Sequence, residues 1–348
     1  MMSSPSTLKT MATGCEASTV AVAAAALTRK AVLKVEPLVG GANSRVFRVD
    51  TAERSYLFKI YPRFSDDPRD RLTTEYNSFA FLARRGIKSV PAPIAFDEAA
   101  GFALYEWIPG RPIGAPSPAD IDLAIDFIAD LDHLRRDPMA KALPLASEAC
   151  LAPADIVSQT TERLARLRQA PDGGPGFAAL LGDLDRAIGV CGPASEFALQ
   201  DAGIKFDHPI EHGRRCLSPS DFGFHNALRR NDGSIAWIDF EYFGWDDPAK
   251  MISDFILHPG MSLPSDLAER FRVGSIARFP GDSALSLRVV ALIPLFGLRW
   301  CAILLNEFLP ERRNNLEADG LARIRGRQLE KARTMLDSVY LLKSSLRP

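Results

Sequence analysis

The pattern of apolar and polar positions changes character several times along the chain. Residues 18–34 form an Ala-rich run with two basic residues at its end, Arg29 and Lys30, and predict a helix; residues 1–17, rich in Ser, Thr and Met, read as a loose terminus. Val46-Phe47-Arg48-Val49 and Tyr56-Leu57-Phe58-Lys59-Ile60 are short β-rich runs on either side of the polar segment 50–54, which predicts an antiparallel hairpin. Leu72, Phe79 and Leu82 fall on the apolar face of a helix expected over 69–85, with Gly86 as its stop. Pro91 and Pro93 open a strand-like region, and 102–107 reads as a further strand. The Pro- and Gly-rich run 108–118 is the best linker in the chain. Beyond it the pattern is helical over 119–136, 153–169 and 176–190. A second β-rich island follows, 227–230 and 235–238, joined by the turn Asn231-Asp232-Gly233-Ser234, and from about 249 the chain is helical again. No internal repeat is visible. The expected class is α+β: a small antiparallel-sheet lobe over 18–108, a hinge, and a larger mainly helical lobe over 109–348.

Composition narrows the function classes. The 348 residues are 47% hydrophobic and 24% charged, ordinary for a globular protein, and Lys plus Arg (42) nearly balances Asp plus Glu (43). A nucleic-acid partner is not expected, because phosphate binding usually shows as a basic excess. The five cysteines, Cys15, Cys150, Cys191, Cys216 and Cys301, form no CxxC pair, so neither a zinc site nor a disulfide framework is expected, and free thiols suit the cytoplasm. No window carries the roughly 18 uninterrupted apolar residues of a membrane span. The apolar stretch 20–27 lacks a small-residue cleavage site before Arg29, so a packed helix is preferred over a signal peptide.

Five features carry chemistry, in a fixed order. Gly40, Gly41, Asn43 and Ser44 precede a strand and suit either an anion-binding loop or a plain glycine turn. Lys59 lies inside an apolar strand and either faces solvent or aims its ammonium at phosphate oxygens. Glu75 follows it in the next helix, where kinase-type sites carry the partner of that lysine; a surface glutamate is the plain alternative. Asp221 and Asn226 have the spacing of a D-x-x-x-x-N catalytic loop, with the carboxylate able to take a hydroxyl proton and the amide oxygen suited to Mg²⁺. Asp239 ends the second hairpin, and because a hairpin brings its two ends together, Asn226 and Asp239 are expected to flank one metal position.

These residues together resemble the aminoglycoside phosphotransferase and choline kinase family, small-molecule kinases with a protein-kinase-like fold, from about Leu38 to Phe255. The resemblance implies a nucleotide loop at Gly40, Gly41, Asn43 and Ser44, an ATP-contacting Lys59 partnered by Glu75, and an adenine-binding hinge at Glu106, Trp107 and Ile108. It also implies Asp221 as the catalytic acid–base residue and Asn226 and Asp239 as the metal ligands. Asp239-Phe240-Glu241-Tyr242 resembles the form that motif takes in choline and ethanolamine kinases, and Gly244-Trp245-Asp246-Asp247-Pro248 resembles the family's Gly-Asp-Pro segment. Three positions depart from the pattern: Pro219 and Ser220 stand where the family has His-Gly, and Met251 stands where it often has Asp.

The expected reaction is transfer of the ATP γ-phosphate to a small-molecule hydroxyl, with the nucleotide base open between ATP and GTP. Between Pro219 and Phe255 seven acidic residues face only Arg229, Arg230 and Lys250, which points to a Mg²⁺-bound nucleotide. A protein substrate is disfavoured, since no long activation segment follows Asp239. The rings Phe222, Phe224, Trp237, Phe240, Tyr242, Phe243 and Trp245 read as core rather than as a cage for a quaternary ammonium, and His225 as loop packing rather than a metal ligand. The basic stretch 311–348 has the wrong sign for a polycationic antibiotic. An inactive nucleotide-binding module, or an interaction protein that keeps the fold, stay as alternatives of another class.

Overall fold

The computed structural model of the chain describes residues 5–38, 44–62, 69–171, 173–310 and 318–344. In chain order the elements are α1 (Pro5–Thr28), β1 (Val32–Pro37), β2 (Arg45–Thr51), β3 (Ser55–Ile60), α2 (Arg71–Ala83), β4 (Pro93–Asp97), β5 (Phe102–Glu106) and β6 (Arg111–Pro112). Then come α3 (Pro118–Leu134), α4 (Pro153–Arg168), α5 (Gly174–Gln200), β7 (Cys216–Ser218), β8 (Ala227–Arg229), β9 (Ile235–Trp237) and β10 (Gly244–Asp246). The chain closes with α6 (Pro248–Leu257), α7 (Ser265–Ile276), α8 (Leu285–Leu304) and α9 (Ala318–Ser344). It divides into two compact units, Met1–Ile113 with Asn226–Phe243, and Gly114–His225 with Gly244–Pro348.

The first unit is built on an antiparallel sheet of order β1-β2-β3-β5-β4. Val20 and Ala24 of α1 pack with Phe47, Val49, Tyr56, Phe58, Ile60 and Leu104, each ring or branched chain contributing about 1.5–3 kcal/mol by leaving water. The helix expected over 18–34 differs at both ends. It begins at Pro5, a residue suited to a first helical turn, and it stops at Thr28, after which Arg29 takes a left-handed φ of 56°. The β-branched Val32 and Val35 then enter β1, pairing Val35 with Val49. The Pro–Gly linker also contributes a strand: β6 pairs Arg111 with Arg229 and Pro112 with Leu228, joining the β8–β9 hairpin.

In the second unit α4, α5, α8 and α9 share one core that includes Leu164, Leu184, Leu292, Cys301 and Val339. Its helices are capped as their sequences dictate. Ser117 and Asp120 form a reciprocal capping box across the first turn of α3, where Pro118 is the first helical residue, and Asp247, the residue before Pro248, accepts the Ala249 N–H at 2.7 Å. The segment Leu285–Phe308 is long and apolar enough to cross a membrane, yet it is 83% buried inside the protein. Arg288 and Arg299 within it hold ion pairs, as an interior helix of a folded unit requires. Cys150, Cys191, Cys216 and Cys301 are buried.

Candidate active site

The first cluster lies in the sheet unit. Lys59 lies on the face of β3 opposite Phe58 and Ile60, yet that face is covered as well and Lys59 is 5% exposed, so the solvent-facing reading of this lysine does not hold. Its Nζ lies 2.7 Å from Glu75 Oε2, on α2, and 2.8 Å from Asp239 Oδ1, just beyond β9. Tyr61 donates its hydroxyl to the same Glu75 oxygen and shares a 2.8 Å hydrogen bond with Tyr105, while the Phe240 N–H donates to Glu75 Oε1 at 3.2 Å. Burial alone would discharge Lys59, but the carboxylates of Asp239 and Glu75 outweigh it and hold the ammonium well above its ordinary pKa. Burial raises Glu75 to about 7 against the pull of Lys59.

Asn226 enters β8, and its carbonyl accepts the Ile238 N–H at 3.0 Å. The register Ala227↔Trp237 continues this pairing, so Asn226 and Asp239 stand at the same end of the hairpin. Asp239 has a left-handed φ of 67°, a conformation that costs about 1–3 kcal/mol and turns the chain sharply after the strand. Arg71, at the start of α2, lies 3.6 Å from Glu241 and 5.9 Å from the Tyr242 ring, a buried pairing that the sequence does not announce. At the expected hinge, Glu106 pairs its N–H with the Ala92 carbonyl at 2.8 Å, Trp107 lies under Arg48 at 4.9 Å, and Ile108 is buried. Ser44 is buried; Gly40, Gly41 and Asn43 lie outside the described residues.

The second cluster lies in the helical unit. β7 pairs with β10 and delivers Asp221 three residues later. Ser220, where the family pattern has Gly, adopts a left-handed φ of 67° and is tied by its hydroxyl to the Ser147 carbonyl at 3.2 Å. Lys250 Nζ reaches Ser220 Oγ at 3.3 Å. Asp221 Oδ1 meets His225 Nε2 at 3.1 Å and His258 Nε2 at 3.4 Å. Burial pushes the Asp221 carboxyl up, but the two imidazoles outweigh it and hold the group well below the usual carboxylate range. Burial lowers His258 against the pull of Asp221. His258 is absent from the sequence reading, since nothing in its local pattern links it to a loop 37 residues earlier.

The acidic tract does not survive as a metal argument. Asp246 pairs with Lys250 at 2.9 Å, Asp247 with Arg288 at 2.8 Å, and Asp254 with Lys250 at 3.1 Å, all buried. Glu241 is buried beside Arg71. The case for a cation rests instead on Asn226 and Asp239, whose amide and carboxylate oxygens are the hard donors Mg²⁺ prefers. The aromatic rings named above are core: Phe222, Phe224, Trp237, Phe240, Phe243 and Trp245 are all buried, and Tyr242 is partly so.

A β-sheet lysine held by a helix glutamate, followed by a D-x-x-x-x-N loop and a hairpin-end aspartate, defines a small-molecule kinase with a protein-kinase-like fold. The model of the phosphotransferase enzyme family matches residues 34–283, and the chain belongs to that family. Its activity is ATP-dependent transfer of phosphate to a small-molecule hydroxyl. Among solved structures it is similar to a spectinomycin phosphotransferase in complex with ADP and spectinomycin, at TM-score 0.59 and 14% identity over 88% of this chain and 94% of that one. It is also similar to the choline kinase of Streptococcus pneumoniae, at TM-score 0.54 and 18% identity over 87% and 94%. A choline kinase of Cryptosporidium parvum aligns at TM-score 0.58 and 14% identity over 90% and 89%. These likenesses show the fold. No curated protein matches the chain.

Proposed function

We propose that the protein phosphorylates a sugar, amino alcohol or similar small molecule with Mg²⁺-bound ATP, using Asp221 as the proton acceptor and Lys59 as the phosphate ligand. The observation that carries the reading is the contact of Lys59 with both Glu75 and Asp239. Such a buried ammonium is fixed in place and fully charged, so it can meet phosphate oxygens without reorganising. Glu75 orients it, and Tyr61 and the Phe240 amide orient Glu75 in turn.

Asn226 and Asp239 fit Mg²⁺ by donor chemistry and would hold it with phosphate and water oxygens completing the shell. The bound ion would supply charge neutralisation on the transferred group. Asp221 orients the acceptor hydroxyl and takes its proton; its strongly ionised state suits a loose transition state in which little proton transfer is needed early. The loop at Gly40, Gly41, Asn43 and Ser44 would cradle phosphates, and the backbone of Glu106, Trp107 and Ile108 would meet the base. Relatives of this fold bind ADP in one case with spectinomycin, which supports a nucleotide and a small polar acceptor here. A cytoplasmic setting belongs to the same proposal.

Pro219 and Ser220 favour one other reading, a nucleotide-binding module without turnover. Calorimetric titration of ADP with and without Mg²⁺ tests the proposed metal site. Mg²⁺ should tighten ADP binding, and Asn226→Ala or Asp239→Ala should abolish that gain, weakening the Mg²⁺-ADP complex by at least the ~10–100-fold that loss of a supporting partner costs a metal site. ADP binding indifferent to Mg²⁺ would remove these two residues from the proposal.

A further inference from the structure

The carboxylate of Asp221 is met by two imidazoles that come from different parts of the helical unit. His225 lies four residues after it, in the middle of a short 3-10 turn; His258 caps the C-terminal end of α6. The two rings stack face to face, with centroids 3.6 Å apart and planes 1° from parallel, and both point Nε2 at the same oxygen, Oδ1. On its other side His258 packs edge to face with Trp300, whose indole N–H is tied to Asp254 at 2.9 Å.

The proton positions follow from what the remaining nitrogens meet. His258 Nδ1 accepts the Gly260 N–H at 3.1 Å, so that nitrogen keeps its lone pair and the ring proton sits on Nε2, facing Asp221. His225 Nδ1 is buried with no hydrogen-bond partner among the described residues. A bare lone pair there costs less than an unmatched N–H, so its proton also sits on Nε2. Two N–H donors therefore converge on one carboxylate oxygen.

The loop that carries His258 makes a further contact to the loop of Asp221 and His225. The Phe224 N–H, in the turn after Asp221, donates to Met261 Sδ at 3.0 Å. Gly223 has room for no side chain: a Cβ there would lie 2.7 Å from the Met261 sulfur and 2.8 Å from the His225 ring. The 258–261 loop thus grips the loop that carries Asp221 at two points.

We propose that His258 is a positioning residue for the phosphoryl transfer: its Nε2–H, fixed in that tautomer by the Gly260 amide, holds the Asp221 carboxylate in one rotation, with the stacked His225 as second donor. This rests on the reading of Asp221 as the hydroxyl-orienting group. Pro219 and Ser220 cannot supply the imidazole that the family pattern places before the aspartate, and His258 supplies one from the end of α6 instead. The three donor atoms also lie close enough to share a metal ion. The Gly260 N–H argues against that use, because a metal on His258 Nε2 would force a proton onto Nδ1, against another N–H.

Long-range ¹H–¹⁵N spectra of the full chain at neutral pH read the tautomers directly. Both rings should carry a proton on Nε2, with His258 Nδ1 unprotonated, and Asp221→Asn should move the signals of both. Titration with Zn²⁺ alone should leave them in place. In steady-state ADP release from Mg²⁺-ATP, with whichever hydroxyl acceptor supports turnover, His258→Ala should lower kcat on the order of 10²-fold with the KM for ATP unchanged. His258→Gln, whose amide N–H can reach the same oxygen, should recover much of it. A proton on His258 Nδ1, ring signals deaf to Asp221→Asn, stoichiometric Zn²⁺ binding to both rings, or unchanged kcat in His258→Ala would each overturn the proposal. Absence of turnover with every acceptor would instead strike the phosphotransfer reading, while the spectra still decide the contact to Asp221.

Discussion

Lys59 is an ammonium with almost no water around it, and it stays charged because two carboxylates replace that water. Removing it leaves Glu75 and Asp239 facing each other without a cation. Lys59→Met should therefore cost about 3–5 kcal/mol of stability, read as a lowered urea midpoint, as well as losing ATP turnover. A midpoint equal to that of the wild type would mean the two carboxylates are better solvated than their geometry implies. Glu75 adds a pH dependence. Its carboxyl is raised from 4.5 to about 7, so between those values the folded chain holds the proton more tightly than the unfolded chain. Stability from this group is full below the lower value and is lost as pH rises through the upper one. The Tm of the wild type relative to Glu75→Gln should fall across that window; a rise would show that Lys59 dominates over burial. The family resemblance paired Lys59 with Glu75 in the sequence, where spacing and residue type alone left both open to a surface reading. They were silent on His258 and Arg71, because contacts made between distant segments leave no local pattern.

The short elements bring each residue into place, and their legibility varied for physical reasons. The β2–β3 and β8–β9 hairpins were visible because alternation and a polar turn act locally. The helix expected over 18–34 runs into the first residues of β1, since the Ala-rich run before it masks where the β-branched residues begin, and β6 lies inside the expected linker, since Arg111 and Pro112 become a strand only by pairing with β8. The stretch from β10 into α6 is packed tightly. Gly244 passes so close to the backbone of residues 144–146 that a Cβ would overlap it. Gly244→Ala should destabilise the protein by about 1–3 kcal/mol, since backbone cannot move aside as a side chain can; a denaturation midpoint within error of wild type would contradict this. At the start of α6, Asp247 serves as both N-cap and partner of Arg288. Asp246 and Asp254 enclose Lys250, which in turn reaches Ser220 beside Asp221.

At the scale of the whole molecule, the α+β class and the small-molecule kinase family were legible because their chemistry sits in an ordered series of motifs from Gly40 to Asp239. The charge count was a poorer guide. Acidic residues that look like a cation site in a linear tract turn out to be spent on Lys250, Arg288, Arg299 and Arg71 inside the fold. Likewise α8 has the composition of a membrane span but is the central helix of a packed unit. The acceptor stayed illegible because helical cores of similar composition can shape many pockets, and pocket shape is a property of distant side chains together.

The central claim is that Asp221 prepares a small-molecule hydroxyl to receive phosphate from Mg²⁺-ATP. The most direct measurement is ADP release from Mg²⁺-ATP across a panel of sugars, amino alcohols and nucleosides, with wild type and Asp221→Asn run side by side. At least one hydroxyl compound should stimulate release, and Asp221→Asn should reduce the stimulated rate by about 10²–10⁴-fold while still binding the nucleotide. An Asp221→Asn protein as active as the wild type, or a chain that binds Mg²⁺-ATP and turns over with no acceptor, would contradict the account.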